Sequence, residues 1–191
     1  MQELKERIVK EGKVLPGNII KVDGFLNHRI DTGLLTRIAE EFGKYFNMDE
    51  VTMVLTAEAS GIALATAVAT YFHKPMIFAK KAKSDNIEGG LYQSDIYSYT
   101  YKKKVTLLVS KEWLSSDDKV LIIDDFMANG EAMRGLCDIV TAAGATLMGI
   151  GCAVEKGFQG GGDRLRAAGV NLKSLAIIES AEPGNIVFRD D

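Results

Sequence analysis

Asp124 and Asp125 stand side by side after four consecutive large aliphatics, Val120 to Ile123. Such an aliphatic run reads as a strand buried on both faces, as in a parallel sheet covered by helices. A short turn with Asn129-Gly130 follows, and then Glu131 to Val140 carries helical apolar spacing at Met133, Leu136 and Val140. The unpaired N–H groups of that first helical turn make an anion site. In an open parallel sheet the turn lies at the carboxyl ends of the strands, where ligands bind. Two carboxylates can accept hydrogen bonds from a vicinal diol while the turn's N–H groups hold a phosphate, so the pattern suits a ribose 5-phosphate. It also fits a strand ending in solvated acids, or the acidic strand of a nucleotide hydrolase. No G-x-x-x-x-G-K-[ST] loop accompanies it, and no G-x-G-x-x-G follows a strand; Gly149-Ile150-Gly151 lies inside a strand-like run.

The elements that must position these residues alternate between strand and helix. Gln2 to Lys10 has Leu4 and Ile8 on one helical face, with Gly12 as its stop. Pro16-Gly17 is a turn signal, and Asn18 to Asp23 alternates as a small strand does. Asp31 is the expected N-cap of a helix carrying Leu35, Ile38, Phe42 and Phe46. Val51 to Thr56 reads as a second buried strand, broken by Ala57-Glu58-Ala59-Ser60-Gly61 before an Ala-rich helix from Ile62 to Phe72. This offers a second anion site on the same sheet edge, or an ordinary strand–helix turn. Met76 to Ala79 is a third strand, followed by Lys80-Lys81-Ala82-Lys83. From Ser84 to Lys104 the chain is polar and glycine-bearing, with an alternating Tyr97-Ser98-Tyr99-Thr100-Tyr101 ribbon; a lid, a binding loop and an exposed hairpin all fit. Val105 to Val109 is the returning strand. Ala145 to Val154 is another buried strand, ending at Glu155-Lys156-Gly157-Phe158-Gln159. Gly160-Gly161-Gly162 then opens a connection to a short helix, Asp163 to Ala168, and strands near Leu172 to Ile178 and Ile186 to Phe188 close the chain. The expectation is one α/β domain, with a central, mostly parallel sheet flanked by helices.

Val120 to Ala132 resembles the motif with which type I phosphoribosyltransferases bind phosphoribosyl diphosphate (PRPP). The resemblance extends over nearly the whole chain to the bacterial xanthine phosphoribosyltransferases. It is carried by Lys-Val-Asp-x-Phe-Leu-Asn-His at 21–28, Asp-Asp-Phe-x-Ala-Asn-Gly at 124–130 and Glu-Lys-x-Phe-Gln at 155–159. It implies transfer of the phosphoribosyl group from PRPP to xanthine, giving xanthosine 5-monophosphate and diphosphate in purine salvage. Asp124 and Asp125 would hold the ribose hydroxyls, while Ala128, Asn129, Gly130, Glu131 and Ala132 would hold the 5-phosphate. The Ser60 turn would take the diphosphate, and Lys81 would meet it from a hood. The hood would be built from the N-terminal segment and parts of the C-terminal region, with a mobile loop at about 81–104. Ile20, Asn27, Phe126 and Lys156 would form the purine site, Mg2+ would enter with PRPP rather than on a protein ligand set, and the protein would be a homodimer.

Two positions depart from the pattern. Many relatives carry arginine or lysine where this chain has Ser60, which shifts diphosphate binding towards backbone N–H groups and lysines elsewhere. Glu131 puts a carboxylate where many relatives have a neutral residue, so its backbone N–H is the expected ligand. A lysine ammonium at Lys156 satisfies a 6-oxo acceptor and meets the 6-amino group of adenine donor to donor. Phe126 reads equally as a core aromatic. A hypoxanthine–guanine enzyme, an adenine enzyme and a PRPP-sensing regulator are the alternatives. Such regulators generally carry a DNA-binding module, and only one short helix precedes the first strand here.

Bulk properties narrow the partners to small molecules. A net charge of −3 gives no basic face for nucleic acid, and Lys102-Lys103-Lys104 reads as a solvated strand edge. Apolar residues make up 47% of the chain, but no stretch approaches the roughly 18 residues that span a bilayer. Met1 opens directly into a charged amphipathic segment, with no secretory signal. Cys137 and Cys152 stand apart without metal spacing and are expected as buried thiols in a reducing cytoplasm. His28 and His73 alone do not furnish a histidine triad or a zinc site.

Overall fold

The computed structural model describes residues 1–81, 90–98 and 103–189. At its centre is β7 (Lys119–Met127), parallel to β3 (Met53–Ala57) on one side and to β8 (Thr146–Lys156) on the other. With β4 (Met76–Ala79), β9 (Leu172–Glu182) and β10 (Asn185–Phe188) they form a six-stranded sheet of order β10-β9-β8-β7-β3-β4. Only the β10–β9 pairing is antiparallel.

The period of two along β7 divides its aliphatics between two cores. Leu121 and Ile123 pack with α2 (Thr32–Phe42) and α3 (Gly61–Tyr71) through Leu34, Ile38, Leu64 and Val68. Val120 and Ile122 pack with α4 (Glu131–Ala142) through Met133, Leu136 and Ile139. Every one of these side chains is at most 1% exposed, and burial of each stabilises the sheet by about 1.5–3 kcal/mol. As expected, Asp31 caps α2, its side chain accepting from Leu34 N at 3.0 Å.

A second layer lies outside α4. There β5 (Leu91–Ser98) and β6 (Lys103–Ser110) pair antiparallel. Ser94 Oγ donates to Asp138 Oδ2 at 2.8 Å, and Arg134 Nη2 donates to the Asp95 carbonyl at 2.8 Å. Paired hydrogen bonds between Lys80 and Leu108 join β6 to the end of β4. Within the expected mobile loop, residues 91–98 are therefore regular strand; residues 82–89 and 99–102, including Lys83, Tyr99, Tyr101 and Lys102, lie outside the described residues.

Elsewhere the structure differs from expectation in local ways. A three-residue strand, β1 (Lys13–Leu15), precedes the predicted one and pairs antiparallel with β2 (Ile19–Lys21) after α1 (Gln2–Glu11). Asp23–Asn27 forms one π-helical turn that buries Phe25 and Leu26. Phe46 lies beyond the end of α2, although it is buried as the spacing suggested. β8 continues through Glu155 and Lys156, and α5 (Gly161–Ala167) begins inside the glycine run rather than after it. Both cysteines are free, Cys137 half-buried on α4 and Cys152 buried on β8. Among the described residues no helix is long and apolar enough to cross a membrane.

Candidate active site

β7 carries the two acids near its carboxyl end, Asp125 two residues before Met127, and its alternation sends them apart. Asp124 lines a cleft of about 210 Å³, whereas Asp125 is not among the lining residues. They are 7% and 1% exposed, and Asp125 N donates to Asp124 Oδ1 at 3.0 Å. Burial first, and then the charge of Asp125, push the Asp124 carboxyl well above the usual carboxylate range. Asp125 instead meets the N-terminal segment, with Asn27 Nδ2 donating to Asp125 Oδ2 at 2.7 Å.

Beyond the acids, Ala128 to Ala132 form one wall of the cleft. Gly130 is the N-cap of α4 with φ 78°, a left-handed conformation that glycine adopts without steric cost. The first turn of α4 thus begins at the cleft wall, and its leading N–H groups have no intrahelical partners, the condition for an anion site. Arg134 Nη2 donates to Glu131 Oε2 at 3.2 Å, so the Glu131 carboxylate belongs to a pair along the helix surface. Its backbone N–H belongs to the first turn of α4, where no intrahelical acceptor is available.

The opposite wall is the turn between β3 and α3, contributing Glu58 and Ser60. Ser60 makes no side-chain cap hydrogen bond, and the Glu58–Ala59 peptide is cis. Lys81 lines the same side, its N donating to Glu58 Oε1 at 2.5 Å. The hairpin adds Ile96, Tyr97 and Val105. Glu58 and these hairpin residues were not singled out from the sequence. A lone acid in a small-residue turn was the available signal for Glu58; the hairpin's register supplies none, since it depends on docking against α4.

Phe126 lines the cleft and also packs against the core that contains Ile20. Beside the ring stands Lys156, with Nζ 5.5 Å from the ring centroid and donating to the Asn18 carbonyl at 2.9 Å. Burial lowers the Lys156 pKa below the usual lysine value. Ser60, Lys81, Asp124, Phe126 and the 128–132 turn thus share one cleft, while Ile20, Asn27, Asp125 and Lys156 lie outside its lining and connect to it through Phe126 and the acidic pair. Among the described residues no three His, Cys, Asp or Glu side chains gather as a metal cage. Asp124 is the one acid of the pair whose hard oxygens line the cleft, which fits a Mg2+ carried mainly by ligand oxygens and water rather than one held by the protein.

Two strand–turn–helix units beside a buried acidic pair, at the carboxyl ends of a parallel sheet, stand where open α/β folds take their ligands. The same fold occurs in the adenine phosphoribosyltransferase of Giardia lamblia complexed with 9-deazaadenine, with TM-score 0.77 and 20% identity over 93% of this chain and 98% of that one. It occurs too in the Saccharomyces cerevisiae adenine phosphoribosyltransferase, with TM-score 0.75 and 18% identity over 91% and 97%. Residues 28–168 match the phosphoribosyl transferase domain. The xanthine phosphoribosyltransferase of Lachnoclostridium phytofermentans is 52% identical over 193 residues, covering 100% of both chains. That of Bifidobacterium longum strain NCC 2705 is 52% identical over 192 residues, covering 99% of this chain and 100% of the other. The chain belongs to the phosphoribosyltransferase family.

Proposed function

We propose that the protein transfers the 5-phosphoribosyl group of PRPP to xanthine, giving xanthosine 5-monophosphate and diphosphate, as a step of purine salvage. The observation that carries the choice of base is Lys156 held beside Phe126, within reach of a purine stacked on that ring. Names of relatives 52% identical over their full length agree with it.

In this reaction the bond from ribose C1 to diphosphate breaks, a purine nitrogen bonds to C1, and that nitrogen's proton is lost. Positive character builds at C1 and negative charge on the leaving group, so positioning, charge compensation and exclusion of water are the protein's main tasks. Asp124, which lines the cleft, accepts hydrogen bonds from the ribose hydroxyls and faces the developing positive centre, and Asp125 acts beside it by holding Asn27. The backbone N–H groups of Ala128 to Ala132 hold the 5-phosphate. The Ser60 turn and the Lys81 ammonium receive the diphosphate. Mg2+ brought in with PRPP would add positive charge as the leaving group departs, and Asp124 is the acid of the pair in the cleft that could share it.

Base recognition falls to Lys156 and Asn27. The Asn18 carbonyl takes one N–H of the Lys156 ammonium and leaves others for a 6-oxo oxygen. An amide NH2 has two donors, so Asn27 can keep one on Asp125 and turn the other to the 2-oxo oxygen of xanthine. Guanine offers a donor there, and hypoxanthine leaves the N–H unpaired at a cost of about 1–3 kcal/mol. Ile20 completes the apolar side of the pocket.

Two further features belong to the proposal. A cytoplasmic location agrees with two unpaired cysteines. Homodimer formation is supported by apolar surface beside β4, where Phe78 is 38% and Trp113 61% exposed; light scattering measures it.

A panel of bases with PRPP and Mg2+ tests the assignment by diphosphate release. Xanthine should turn over best, guanine and hypoxanthine well behind, and adenine last. Lys156→Gln should relax discrimination at position 6. Adenine as the best substrate of the unaltered protein would overturn the role given to Lys156.

A further inference from the structure

The glycine run Gly160-Gly161-Gly162, the buried Glu155 and two arginines of α5 have no part in the reaction as derived. In the structure they form one assembly behind the phosphate turn. Gly161 lies so close to the turn's backbone that an added Cβ would stand 2.5 Å from Ala128 O, 2.6 Å from Asn129 C and 2.7 Å from Gly130 N. Arg164 Nη2 donates to Asn129 O at 3.0 Å, and Arg164 Nη1 donates to Gln159 O at 3.4 Å. The helix is tied in turn to the sheet. Arg166 donates through both terminal nitrogens to Glu155, at 3.0 and 2.7 Å, and Ser174 Oγ donates to the same carboxylate. A Cβ at Gly162 would collide with that carboxylate as well. Glu155 is fully buried, so these contacts are what makes its charge tolerable inside the fold.

The effect on the phosphate turn follows from peptide geometry. Asn129 C=O and Gly130 N–H belong to one planar unit and point in opposite directions. A guanidinium holding the oxygen therefore fixes the direction of the N–H, and polarises the unit so that the N–H donates more strongly. An anion site whose donors are already aimed gives up less conformational freedom when it binds.

We infer that α5 is a buttress for the 5-phosphate site, with Gly161 and Arg164 as positioning residues and the Glu155–Arg166 pair as their anchor. The ligand whose affinity it sets is the phosphate of the sugar substrate. The inference rests on Ala128 to Ala132 being the phosphate site of the proposed reaction.

The test compares the unaltered protein with Arg164→Ala, Arg164→Lys and Gly161→Ala. KM is measured separately for PRPP and xanthine, and ribose 5-phosphate is titrated calorimetrically, which needs no turnover; thermal unfolding checks that each variant is folded. Arg164→Ala should raise the PRPP KM and the ribose 5-phosphate Kd about tenfold, the size expected for one lost charge-assisted hydrogen bond. The xanthine KM should stay within about twofold. Lysine can donate to the same carbonyl, so Arg164→Lys should recover part of the loss. Gly161→Ala should show the same split between substrates. Unchanged PRPP and ribose 5-phosphate affinity in Arg164→Ala, or equal losses for both substrates, would overturn the buttress. So would failure of the unaltered protein to bind ribose 5-phosphate. If it binds that ligand, transfers to no purine, and loses affinity in Arg164→Ala, the transfer reaction falls and the buttress stands.

Discussion

The turn after β3 and the turn after β7 join neighbouring parallel strands to helices of 11 and 12 residues, and both open on the same cleft. Their topology is shared and their chemistry is not. Ser60 precedes α3 in ordinary right-handed conformation with φ −67°, in a turn of small residues. Gly130 precedes α4 in left-handed conformation, and the turn before it is entered through two buried acids. α3 is apolar around much of its circumference and lies between α2 and the sheet, whereas α4 is covered on its outer side by the β5–β6 hairpin. A strand–turn–helix unit by itself therefore supplies N–H donors and little more. What the turn can bind is decided by the residues at the strand's last positions.

The sharpest break in that comparison is removal of the acids. Asp124→Ala and Asp125→Ala should each cost roughly 2 kcal/mol or more in kcat/KM for PRPP, about 30-fold in steady-state assays. Asp125→Ala should also raise the xanthine KM, because it takes away the partner of Asn27; Asp124→Ala should not. Near-normal turnover in the double variant would mean that the turns do not differ in the way described.

Lys81→Ala comes next, since the turn after β3 has an acid, Glu58, and no cation of its own. Loss of one cation facing the leaving group should lower kcat about tenfold, with the xanthine KM little altered. An equal change in both would place Lys81 in general folding rather than beside the diphosphate.

Stability separates the two turns in the opposite sense. The folded protein holds the Asp124 proton to a higher pH than the unfolded chain, whose carboxyl titrates near 3.8. The contribution of this group to stability is therefore fullest below 3.8 and is lost as pH rises through the folded value. Asp124→Asn, which keeps an acceptor for Asp125 N, should then raise stability at neutral pH by about 1 kcal/mol, or ~2–4 °C in Tm, while activity falls. The gain should shrink as the pH is lowered towards 4, and a gain equally large at low pH would contradict the assigned cause.

Ser60→Ala should have the smallest effect. With no cap hydrogen bond to lose, it should change stability by less than about 0.5 kcal/mol in thermal unfolding and the PRPP KM by less than about threefold.

What could be seen in the sequence followed burial. Val120 to Ile123 announce a two-sided strand, and acids immediately after them stand at its carboxyl end whatever the tertiary detail. Asp31, Gly130 and the alternation of strand with helix were legible for the same reason, each being a local rule applied where the fold agrees with it. The burial of Glu155 was not, because a fully buried carboxylate contradicts hydrophobic patterning until Arg166 and Ser174 arrive to satisfy it. The start of α5 in three glycines contradicts helix propensity, and close approach to the phosphate turn overrides it. β1 carries too few residues to show a period. The opposite facing of Asp124 and Asp125 was implicit in strand geometry once β7 was known to continue to Met127.

The state of the two cysteines bears on how the protein can be studied. Burial, and secondarily the charge of Asp138, push the Cys137 thiol up to about 11, and burial raises that of Cys152 as well. Reagents that attack thiolates therefore find almost no nucleophile on the native chain at neutral pH. A cysteine placed on the exposed side of the β5–β6 hairpin, at Gln93 for example, would be the one reactive thiol. A fluorophore attached there can report on the hairpin while both native cysteines remain in place, without the core substitutions that such labelling ordinarily demands.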